Sequence, residues 1–188
     1  MAENETLDLR TSRRWENLCR LIQSQASKED ILEEVKSCLT KTLQNIGKRI
    51  PLTDMLVAAE QDPESIRKLG KNCHEAKDFV NLLQVCAEQA ANGGADHDTV
   101  AEAFIWTIFD RFYDQICIKC VSAEGTHSFL ELRQLGVSLR AELAPTVLEL
   151  VGQLYHDTDH QTTTVRMPKM TAVQKSEQQR KLLEMSIL

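Results

Sequence analysis

Apolar residues recur along this chain at helical spacing, in stretches set apart by glycine, proline and capping residues. Trp15, Leu18, Cys19 and Ile22 stand at i, i+3, i+4 and i+7, one face of a first helix from about Ser12 to Ser24. Ser27 followed by Asp30 has the form of a helix start, and the stripe Ile31, Val35, Cys38 or Leu39, Leu43 and Ile46 is expected to end at Gly47. "PLTDMLVAAEQ" predicts a short helix from Asp54 to about Glu60, capped by Thr53. In "QDPESIRKLG", Asp62 reads as the cap, Pro63 as the first helical position and Gly70 as the stop. A further stripe carries Ala76, Phe79 or Val80, Leu83, Cys86 or Ala87, and Ala90. Gly47, Gly70, the Gly93-Gly94 pair and Gly125 all read as breaks between helices.

Thr99 with Glu102 forms a capping box, and it launches the most distinctive segment, "AFIWTIFDRFYDQICIKC" from Ala103 to Cys120. Five of the nine aromatic residues of the chain lie in it. Wound as a helix, the segment puts Ile105, Ile108 or Phe109, Phe112 and Ile116 on one face. Phe104, Trp106, Tyr113 and Cys117 fall on neighbouring or opposite faces, and only Asp110, Arg111 and Asp114 leave a narrow polar strip. A helix apolar over most of its circumference is a buried central element, so the rings are expected to be core.

The last long stripe opens at Thr126 or Ser128 and runs through Leu132, Leu135, Leu139 and Leu143. It stays in phase through Val147, Leu150 or Val151, and Leu154. Pro145 lies inside it and denies the Ala141 carbonyl its hydrogen bond, which predicts a break or strong kink there. Periodicity then fades. The organisation expected is a flexible N-terminus over 1–10, one helical domain over 11–156, a linker over 157–171 and a helix-prone tail over 172–188. The fold class expected is all-α, a single-domain bundle or short helical array of five to seven helices.

Composition supports this. Seven glycines and four prolines in 188 residues are few for an all-β chain, and 42% hydrophobic with 27% charged residues suits a globular domain. No run reaches the roughly 18 to 20 apolar residues of a membrane span. The first 25 residues carry Glu3, Glu5, Asp8, Arg10 and Arg13 without an apolar leader, so a cytoplasmic or nuclear location and six reduced cysteines are expected. The net charge of −6 is unevenly spread: residues 161–188 hold five bases against two acids, a net +3, leaving −9 on residues 1–160. An acidic body repels phosphate backbones, which argues against nucleic-acid binding by the domain. Only the tail attracts anions such as nucleic acid or anionic lipid.

Candidate chemistry is sparse. Cys117 and Cys120 form a Cys-x-x-Cys pair, and His156 and His160 have a spacing that suits two further zinc ligands. The gap between the two pairs is far longer than in a zinc finger, His127 is a third candidate, and no βαβ pattern places the cysteines for redox work. Cys73 beside His74 has the composition of a nucleophile and base, but adjacent helical positions point apart. Asp96, His97 and Asp98 can ligate a cation or cap a helix near Thr99. No phosphate loop, nucleophile elbow or His-Glu-x-x-His occurs.

By elimination the chain is expected to act without cofactor or catalysis, as a protein-protein interaction module: an adaptor or regulatory subunit with a basic docking tail. The tail residues expected to bind a partner are Arg166, Met167, Met170, Leu182, Leu183, Ile187 and Leu188. The terminal Ser186-Ile187-Leu188 also has the form that a PDZ groove accepts. The alternative is a metal-binding protein built on Cys117, Cys120, His156 and His160.

Overall fold

The fold is all-α. A computed structural model describes residues 7–10, 12–92, 96–124, 128–159 and 180, without the side chains of 122–124 and 155–159. Among the described residues there are seven α-helices and no strand. They are α1 (Arg13–Gln23), α2 (Lys28–Arg49), α3 (Leu52–Ala59), α4 (Glu64–Gly70), α5 (Lys77–Ala91), α6 (His97–Glu124) and α7 (Phe129–Asp159), with a 3-10 turn at His74–Ala76. Tail residues 160–179 and 181–188, which include His160 and all the expected docking residues, lie outside the described residues, as do Gly93, Gly94, Gly125 and His127.

Helix α6 is the spine, packed against α1, α2, α3, α5 and α7. Phe104, Ile105, Ile108, Phe109, Phe112 and Ile116 are fully enclosed, and Tyr113, Cys117 and Cys120 are buried beside them. Burying a side chain of this kind contributes about 1.5–3 kcal/mol each, so one helix organises the core. Trp15 of α1 stacks on Phe112 with ring centroids 4.6 Å apart and planes 11° from parallel. Its indole N–H donates to the Thr42 hydroxyl of α2 at 3.1 Å, which satisfies the one polar atom that a buried tryptophan brings. Three helices are pinned by that single side chain.

The helix ends follow the expected chemistry in some places and depart from it in others. Ser27 caps α2 by accepting from the Asp30 amide at 3.2 Å, and Ser128 does the same for the Glu131 amide at 3.1 Å. Asp62 accepts from the Glu64 amide at 3.1 Å, as its position before Pro63 predicted. Gly47, however, does not end α2. The helix runs on to Arg49 and stops because Ile50, preceding Pro51, is forced into extended backbone (φ −132°, ψ 150°). Thr53 does not cap α3, which starts at Leu52; its hydroxyl instead donates to the Leu154 carbonyl of α7 at 3.0 Å. Gly70 is the last residue of α4, and a Cβ there would lie 2.5 Å from a methyl of Val80, so close packing on α5 demands glycine.

The expected break at Pro145 is absent. Helix α7 is continuous from Phe129 to Asp159, with Leu139, Leu143, Val147, Leu150 and Val151 buried on both sides of the proline. One missing hydrogen bond is outweighed by a stripe that stays in register with the core. Helices α6 and α7 form an antiparallel hairpin, its register set by Tyr113, whose hydroxyl donates to the Leu132 carbonyl. Asp110 and Arg140 pair across it farther along. Gly136 makes room for the Tyr113 ring; a Cβ there would sit 2.6 Å from a ring carbon.

Candidate functional site

The Cys-x-x-Cys pair lies on the inner face of α6, one turn apart. Among the described side chains, Cys120 meets no histidine. Its sulfur lies 3.4 Å from that of Cys19 on α1, and all six cysteines are free thiols. Burial, reinforced by the adjoining Cys19, pushes the Cys120 thiol up to about 12. Burial likewise raises Cys117 and Cys86, and it lifts Cys38 to about 12 with help from the Glu34 charge. Each of these thiols is neutral at physiological pH, the opposite of what an activated nucleophile requires. Burial also raises the Tyr113 phenol, which lies next to Cys117.

Hairpin geometry separates the proposed ligands. Cys120 is near the closed end of the α6–α7 hairpin, whereas His156 is near the far end of α7. At 1.5 Å rise per residue, the register fixed by Tyr113 and Arg140 puts them roughly 35 Å apart or more. The structure therefore does not bring His156 to Cys117 and Cys120. Among the described residues no group of three or more His, Cys, Asp or Glu side chains is arranged to hold a metal ion. Cys73 does not engage His74; its thiol faces the Leu69 carbonyl at 4.0 Å.

The "ADHDT" stretch does cap α6, with a partner that sequence reading missed. Asp96 accepts from the Thr99 amide at 3.1 Å and from its hydroxyl at 3.0 Å, so Asp96, not Thr99, opens the helix. Glu60, at the end of α3, accepts from the His97 amide at 3.0 Å and also bonds the His97 ring through Nδ1. The Nε2 of that ring lies 3.5 Å from Asp98, which is 1% exposed. An imidazole thus stands between two carboxylates, and the Glu60 charge sits at the positive end of the α6 dipole. The arrangement joins α3 to α6. Its members are 37 residues apart in sequence, beyond the reach of any local pattern.

Clefts open on the surface of the described residues. One, of about 670 Å³, lies between α2, the start of α3 and the C-terminal half of α7, and is lined by Leu43, Gly47, Ile50, Pro51, Leu150 and Leu154 among others. Another, of about 570 Å³, lies between α1 and α2 and is strongly charged. Separately, large apolar side chains are exposed where α6 and α7 meet: Ile118 (65%), Val121, Phe129, Leu130 (65%) and Val137. Four residues separate the two helices; Ile118 and Val121 lie in the last two turns of α6, and Phe129 and Leu130 in the first turn of α7. Leu130 and Val137, seven residues apart, continue one face of α7. The Arg133 guanidinium covers one side of the Phe129 ring at 5.4 Å.

No family model, curated protein or solved structure matches this chain. No described helix is long and apolar enough to cross a membrane.

Proposed function

We propose that the protein is a helical protein-protein interaction module, an adaptor or regulatory subunit, that docks through the tip of the α6–α7 hairpin. The observation that carries this reading is the group of exposed Ile118, Val121, Phe129, Leu130 and Val137 side chains. Single exposed apolar residues are ordinary, but several on adjoining turns of two helices mark an interaction surface. These side chains contribute little to the fold where they stand. Covering them would recover about 25 cal/mol per Å² of apolar area. Their rigid helical backbone also keeps the ordering cost of binding low. The basic tail, residues 161–188, supplies a second contact in this reading, electrostatic and weakened by salt.

Affinity capture from cells tests the proposal, with the wild type, an Ile118→Ser/Leu130→Ser variant and a Val85→Ser control run in parallel. Val85 is exposed on α5, outside the tip. The expected result is a set of proteins held by wild type and control and lost from the tip variant. Identical sets in all three would remove the hairpin tip from the reading.

A further inference from the structure

The cleft between α1 and α2 is lined by Arg13, Arg14, Arg20 and Lys41, with Asn17, Ser37, Glu16 and Glu34. Four cations converge in a chain whose acids outnumber its bases 28 to 22. The two acids offset them only in part. Glu16 is engaged by Lys119 of α6 at 3.1 Å. Glu34 faces the Cys38 thiol at 3.8 Å and makes no ion pair among the described residues. Elsewhere on the surface Lys28, Lys36, Arg49, Arg67 and Arg140 each hold an acid. Arg14, Arg20 and Lys41 hold none among the described residues. Arg13 and Arg14 also occupy the first turn of α1, where the helix dipole disfavours cations. The placement of Arg14 costs stability locally unless an anion joins it.

We infer that this cleft is an anion site for a phosphate monoester, bound by Arg14, Arg20 and Lys41 with the Ser37 hydroxyl and the Asn17 amide as neutral donors. Several considerations select that ligand class. With the Glu34 carboxylate counted, Arg14, Arg20 and Lys41 leave a net +2 that matches a dianion, and two planar guanidinium forks with an ammonium point charge suit the oxygens of a phosphoryl group. A carboxylate has too few oxygens to use all the donors. A cleft of about 570 Å³ admits one such group with its immediate attachment. The −9 carried by residues 1–160 repels extended polyanions such as nucleic acid, so the site takes a single phosphoryl group. This inference is independent of the hairpin-tip proposal.

The test is a titration of the full chain followed by backbone amide NMR, with inorganic phosphate and with N-acetyl-O-phosphoserine methylamide as probes. Sodium chloride at matched ionic strength is the blank. Saturating shifts confined to residues 13–20 and 34–41 are expected with the phosphate probes. Arg14→Gln and Lys41→Gln should each weaken binding by about tenfold or more, since each removes a charge-assisted contact. Arg67→Gln, on α4, should change nothing. Arg20→Gln supplies a further variant should either of the first two disturb folding. Tighter binding of the phosphoserine probe than of inorganic phosphate assigns the site to a phosphorylated protein chain; equal or weaker binding assigns it to a small free phosphate ester. Shifts that track ionic strength alone, or that survive both substitutions, overturn the inference. So does an N-acetyl-aspartate probe that binds as tightly as the phosphates.

Discussion

The two ends of α6 break the rule of apolar inside and polar outside in opposite senses. At its N-terminus His97 and Asp98 are buried, with His97 bonded to Glu60 of α3 and Asp98 lying against the imidazole, while at its C-terminus Ile118 and Val121 are exposed, as are Phe129 and Leu130 at the start of α7. The buried polar end ties α6 to a second helix of the same chain through His97 and Glu60. The exposed apolar end instead presents large side chains to solvent, Ile118 at 65% and Leu130 at 65%. The comparison teaches that a charge cluster can be the bland feature and a patch of aliphatic side chains the informative one.

The largest effect should come from breaking the buried end. His97→Ala removes the bond to Glu60 and leaves Asp98 enclosed without the imidazole beside it, and stripping a buried polar group of its partner costs about 1–3 kcal/mol, more where that group is a carboxylate. Urea unfolding should show that loss, whereas a change below about 1 kcal/mol would mean that the cluster is incidental. Gly136→Ala tests the register that separates the ends. The new methyl collides with Tyr113, and overpacking of this kind costs about 1–3 kcal/mol, which exceeds the helix-propensity gain of about 1 kcal/mol.

A pH effect belongs to the buried thiols of α2 and α6. Cys120 and Cys38 rise from an ordinary 9.0 to about 12 on folding, so the folded state favours the neutral thiols. Their contribution is intact below pH 9 and is lost as pH climbs toward 12. The melting temperature should therefore fall across that window, less steeply in Cys120→Ala. The smallest effect is expected at the exposed end: Ile118→Ser with Leu130→Ser should alter stability by no more than about 0.5 kcal/mol per site while abolishing partner capture. A large loss of stability there would identify the patch as part of the fold.

Much of the architecture was legible in the sequence because helices announce themselves locally. The stripe of α1, the Ser27 and Asp62 caps and the central place of the aromatic segment all follow from spacing within a few turns. Helix ends were read less well. Glycine was taken as the stop signal, yet α2 passes through Gly47, and α1 is ended by Gln25, which adopts the left-handed conformation (φ 57°) with no glycine present. The Ala26 amide bonds the Leu21 carbonyl at 3.0 Å and closes that turn. Pro145 looked like a boundary because local rules weigh the lost hydrogen bond and not the packing on either side. The site-level features were hidden for a different reason. Glu60 with His97, Cys19 with Cys120, and Arg14 with Lys41 are each joined by tertiary packing, and no spacing in one chain reveals such partners.

The placement of the two tryptophans equips the molecule with its own optical gauges. Trp15 is dry and stacked, so its emission should be blue-shifted and should report when α1 leaves the spine. Trp106 is half-wet and lies under the Arg140 guanidinium at 4.8 Å, so its signal follows the α6–α7 surface. Replacing either with phenylalanine isolates the other, and detachment of the first helix can then be timed separately from events on the hairpin.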